Sequence, residues 1–90
     1  VPVVTLPGDR PIARMTAGHL KAIGLDNLIA ATQDDYVGIA RGLAENPTRL
    51  AGLRAGLRDQ ISGSPLCDGV AFARDFEAAL RDAWRRWCAQ

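Results

Sequence analysis

Val1–Leu6 (VPVVTL) is the one run in this ninety-residue chain that reads as a β-strand, and a single strand tightly constrains what the chain can fold into. Val1, Val3, Val4 and Thr5 are β-branched, and Pro2 sits at the entry, where a strand tolerates proline. A short, nearly continuous apolar run suits a strand covered on both faces, as in a parallel sheet. One strand has no ladder, so its N–H and C=O groups require a neighbour. The expectation is a piece of a larger α/β unit, pairing with another part of the protein or with a second copy through residues 1–6. The opening on Val1, without Met, reads the same way.

Everything after this run reads as helix. Pro7-Gly8-Asp9-Arg10-Pro11 is a turn, with Pro11 suited to the first position of a helix. That helix should run to about Ile23, with Ile12, Met15, His19, Ala22 and Ile23 on one side. Gly24 suits the residue after a helix end, followed by Leu25 as its apolar contact. Asp26 can cap a short helix, Asn27–Ala31, burying Leu28 and Ile29. Thr32-Gln33-Asp34-Asp35 has the form of a capping box with Asp in place of Glu. Tyr36, Ile39, Ala40, Leu43 and Ala44 follow at helical spacing. Asn46 and Pro47 close that helix and open the next, whose stripe is Leu50, Leu53, Leu57 and Ile61. Gly63 and Pro65 stop it, Ser64–Cys67 links, and Asp68 caps a last helix to about Cys88. Phe72, Phe76, Ala79, Leu80, Ala83 and Trp87 share one face there, widened by Trp84 and Cys88. The fold class expected is mostly α, with one short N-terminal strand and about five helices, one of them short.

Composition narrows the function classes. Lys and Arg number 11 against 10 Asp and Glu, so no large field draws the chain to nucleic acid or a membrane. No apolar run reaches the roughly 18 residues of a membrane span. Cys67 and Cys88, with one histidine, make neither a disulfide framework nor a metal site, and read as reduced thiols of a cytoplasmic protein. The loop Pro7–Arg14 is the one place suited to an anion, because a helix start and two arginines, Arg10 and Arg14, meet there. It is neither a dinucleotide fingerprint nor a P-loop, and a plain turn is the simpler reading. His19 has no carboxylate at i±3 or i±4, and reads as a packed or half-exposed side chain rather than a base. Asp34 and Asp35 diverge on a helix and serve its positive end. Arg49, Arg54 and Arg58 read as a solvated face. Trp84 and Trp87, three apart among Arg85 and Arg86, suit core or interdomain packing better than base stacking. The residues alone describe a small helical domain that does not catalyse.

Five stretches in series carry a resemblance: VPVVTLPGDRPIAR (1–14), AIGLDNLIA (22–30), DYVGIARGLAENPTRLAGLRAGLR (35–58), SPLCDGVAFARDFEAAL (64–80) and WRRW (84–87). Their order and spacing resemble the carboxyl-terminal end of the catalytic domain of the O-GlcNAc transferases, including SPINDLY-like bacterial forms. The resemblance spans essentially the whole chain. It implies the GT-B plan of two Rossmann-like domains, with residues 1–90 as the carboxyl-terminal part of the second, nucleotide-sugar-binding one and 66–90 as its closing helix. It implies transfer of GlcNAc from UDP-GlcNAc to Ser or Thr of acceptor proteins, with inversion and no metal or cofactor. Tetratricopeptide repeats often precede such a catalytic part.

The family's His-Thr-rich phosphate segment, ribose-holding acid and uracil contacts have no matching positions here, so no catalytic or donor-binding residue is carried over. Pro7, Gly8, Asp9, Arg10 and Arg14 match the family's Pro-Gly…Arg element and are carried over as a cleft-edge loop. Ala13 stands where the family usually has Ser, and Gly18 where it has a small polar residue, which removes polar contacts from that helix. The chain alone is expected to be structural and inactive. Two alternatives stand beside this: a related cytoplasmic N-glucosyltransferase using UDP-glucose, and a non-catalytic helical module with Arg49, Arg54, Arg58 and the Trp-Arg tail as its surface.

Overall fold

A computed structural model describes all ninety residues, Val1–Gln90. Four α-helices follow in order: α1 (Pro11–Ala22), α2 (Gln33–Ala44), α3 (Pro47–Ser62) and α4 (Gly69–Cys88). Single 3₁₀ turns occupy Asp26–Leu28 and Pro65–Cys67.

Most helix ends follow from residues within one turn of them. Thr32 Oγ1 accepts the Asp35 N–H at 3.1 Å, Asn46 Oδ1 accepts the Arg49 N–H at 3.1 Å, and Asp68 Oδ1 accepts the Ala71 N–H at 3.0 Å. Each satisfies one of the donors that a helix start leaves unpaired. Asp35 reaches back as in a capping box, but to the Ala31 N–H, at 3.4 Å. At the end of α1, Gly24 takes φ 78°. Its N–H donates to Lys21 O and that of Leu25 to Leu20 O, at 3.1 and 2.8 Å. This is a Schellman closure, and its apolar contact joins Leu20 to Leu25, both buried.

The expected N-terminal strand does not form. Residues 1–6 make one parallel bridge, Thr5 to Ile29, in which Thr5 N–H donates to Leu28 O at 3.0 Å and Ala30 N–H to Thr5 O at 2.7 Å. The partner segment explains this. It leaves the 3₁₀ turn at Leu28, is extended at Ile29, and reaches the cap of α2 at Thr32. One residue pair is all that fits before the chain turns away. The count of about five helices is also corrected to four: the expected short helix Asn27–Ala31 is the 3₁₀ turn Asp26–Leu28, because Ile29 goes extended to meet Thr5.

The core is small: eight of ninety residues are buried, seven of them apolar and the eighth Ser64. Leu20, Ile23, Leu25, Leu28 and Leu43 form its centre, ringed by Val4, Ile29, Ile39, Leu53, Leu57 and Ile61. The face of α1 that packs is therefore Ala17 and Leu20, continued by Ile23. The expected Ile12, Met15 and His19 are exposed. Gln60 ties α3 to the end of α1, its Nε2 donating to Ile23 O at 2.6 Å.

The last helix stands apart. Its one substantial neighbour is the Pro65–Cys67 turn. Phe72, Phe76, Leu80, Trp84 and Trp87 lie exposed along it, and the rings of Phe72 and Phe76 stack with centroids 6.1 Å apart. The radius of gyration is 17.3 Å, where a compact chain of this length has about 12 Å.

Candidate functional site

The loop Pro7–Arg14 is built by its own residues. Gly8 N–H donates to Ala13 O at 3.3 Å, and Gly8 O accepts from Arg14 Nη1 at 3.0 Å. Ala13 N–H returns to Arg10 O at 3.0 Å. Both backbone groups of Gly8 are thus spent on the first turn of α1. A Cβ at Gly8 would lie 3.0 Å from Ala13 Cβ, so the approach requires a side chain of hydrogen here and a small one opposite. Pro11 opens α1 at a position where its missing N–H costs nothing.

The loop has a definite electrostatic sense. The start of α1 holds no acidic residue in its first turn, and Arg10, the residue before it, supplies no side-chain cap. The positive end of the helix dipole is therefore uncompensated from within. Asp9 and Arg10 are exposed, and neither forms an ion pair; the ion pairs of the chain are Arg41–Glu45 and Arg86–Asp82. Arg14 spends one guanidinium N–H on Gly8 and keeps the rest of its fork for other acceptors. Of the five loop residues singled out in the sequence, Pro7, Gly8 and Arg14 form the bonded or half-buried base, and Asp9 and Arg10 form the tip.

The other candidates lie elsewhere and do not converge. His19 is exposed on α1 at the edge of an open apolar groove of about 460 Å³, with Thr16, Leu20, Ile23, Leu57 and Leu66 among its walls. Sequence spacing gave no sign of this groove, because its walls come from α1, α3 and both ends of the first 66 residues. Cys67 and Cys88 are free and exposed. No three His, Cys, Asp or Glu residues gather where they could hold a metal ion. Arg54 and Arg58 flank a shallow depression with Val1, Leu57 and Ile61. Trp84 and Trp87 are about two-thirds exposed, at 66 and 68%. No helix is long and apolar enough to cross a membrane.

The chain as a whole, loop included, is similar to known proteins. The family model for glycosyl transferase family 41 matches residues 1–76. The chain belongs to that family. Among relatives in the family is a tomato protein named as a probable UDP-N-acetylglucosamine–peptide N-acetylglucosaminyltransferase SPINDLY, 44% identical over 98% of this chain. The Arabidopsis thaliana protein of the same name is 39% identical over 98% of the chain. A Caenorhabditis elegans UDP-N-acetylglucosamine–peptide N-acetylglucosaminyltransferase is 33% identical over 96%. The chain spans about a tenth of the length of these relatives, 10, 10 and 8% respectively. The match to family 41 covers the loop, α1, α2, α3 and the first part of α4, whereas Leu80, Trp84 and Trp87 lie beyond the matched residues.

Proposed function

We propose that this chain is part of a protein O-glycosyltransferase that moves GlcNAc from UDP-GlcNAc to Ser or Thr of acceptor proteins in the cytoplasm. One observation carries the reading: a continuous match of residues 1–76 to family 41, together with relatives named for that peptide transfer. In this reading residues 1–90 are the carboxyl-terminal part of the nucleotide-sugar-binding half, with 66–90 as its closing helix.

The reaction is an inverting transfer. The acceptor hydroxyl attacks the anomeric carbon from the face opposite UDP, the bond from that carbon to the diphosphate oxygen breaks, and negative charge gathers on the diphosphate. This chain's share is positioning and field. The loop Pro7–Arg14 lies at the edge of the donor cleft, where the start of α1, with no acidic residue in its first turn, and the exposed Arg10 favour a developing anion against the neighbouring Asp9 carboxylate. Gly8 and Arg14 hold the loop's shape. The groups that bind uracil and ribose and that move protons lie outside these ninety residues, so the chain alone transfers no sugar.

The test is a donor competition with the longest polypeptide that contains this chain. A protein acceptor is incubated with UDP-GlcNAc and UDP-glucose, and modified residues are mapped by mass spectrometry. HexNAc on Ser or Thr is the expected result. Hexose on Asn, from UDP-glucose alone, overturns the GlcNAc assignment, and absence of transfer from either donor overturns the reading as an enzyme part.

A further inference from the structure

We draw no further inference here: the strongest candidate, the aromatic stripe of Phe72, Phe76, Leu80, Trp84 and Trp87 along the exposed face of α4, is an unpartnered apolar face, and nothing in the structure shows what covers it.

Discussion

Replacing Leu28 by alanine probes where this chain keeps its stability. Leu28 is the one large side chain wholly removed from water, and it sits among Leu20, Ile23, Leu25 and Leu43. Its carbonyl also receives the Thr5 N–H, so the residue anchors the N-terminal segment through its backbone and the helices through its side chain. Truncating a buried leucine costs about 2–5 kcal/mol, the larger values arising where neighbours cannot collapse into the space. Here the neighbours are held by the Schellman closure on one side and the Thr5–Ile29 bridge on the other, so a loss of at least about 3 kcal/mol is expected. A well-packed domain of this length holds roughly 4–14 kcal/mol in all. With eight buried residues this chain lies at the low end, and Leu28→Ala removes most of what it has. Thermal melting followed by circular dichroism at 222 nm should show the midpoint of α1–α3 falling by more than about 10 °C, at roughly 4–8 °C per kcal/mol for a domain this small. Leu28→Met, which keeps the volume, should lose less than about 1.5 kcal/mol. Trp84 and Trp87 both lie in α4, whose one substantial neighbour is the Pro65–Cys67 turn, so tryptophan emission should not follow the dichroism. A Leu28→Ala midpoint within about 3 °C of the parent would refute the claim that this cluster holds the fold together.

Three other outcomes are expected. Asp68→Ala removes the acceptor for the Ala71 N–H and should weaken the start of α4 by about 1 kcal/mol, read as faster amide exchange at residues 69–72 with α1–α3 unchanged. Gly24→Ala forces a side chain into left-handed backbone at φ 78°, with no atom nearer than Gln60 Nε2 at 4.0 Å; the loss of about 1–2 kcal/mol is conformational rather than steric, and a urea titration should show it as a lower midpoint at unchanged slope. Titration of UDP into the isotope-labelled longest polypeptide that contains this chain should shift amides of Gly8–Arg14 together with those of the donor site, and donor-site shifts with none in that loop would remove it from the cleft edge.

What was legible in the sequence is what is decided within a few residues. Thr32, Asn46 and Asp68 cap the helices that follow them because the acceptor and the N–H it meets are three residues apart. Gly24 and Leu25 close α1 for the same reason of proximity. Long-range facts were not legible. Helical spacing groups Ile12, Met15 and His19 as readily as Ala17, Leu20 and Ile23, and only the position of α3 and the 3₁₀ turn decides which set is buried. β-branching in Val1–Leu6 marks an extended segment, but a strand is a property of its partner, and the partner here is extended at one residue. The candidate loop was legible as a turn ahead of a helix, whereas the part played by Arg14 was not. Nothing in the spacing of Gly8 and Arg14 announces that one braces the other.

That brace bears on what the loop can contribute. Under the proposed function, an arginine already held costs less side-chain entropy to engage a diphosphate than one that must be ordered on binding. Arg14 is already ordered by Gly8 O, and Gly8 by Ala13, so the base of the loop is set before any ligand arrives. Its carrier, α1, is pinned at the far end through Gln60 and the Leu20–Leu25 contact, and the segment leading into the loop is pinned at Thr5. The buried residues of the chain thus cluster at the far end of α1 and under its packing face, where they hold the helix that carries the loop. Asp9 and Arg10 remain as the adjustable tip. The loop therefore has a fixed base and a tip of two exposed residues of opposite charge, which is the part the proposed function asks to adjust to a ligand.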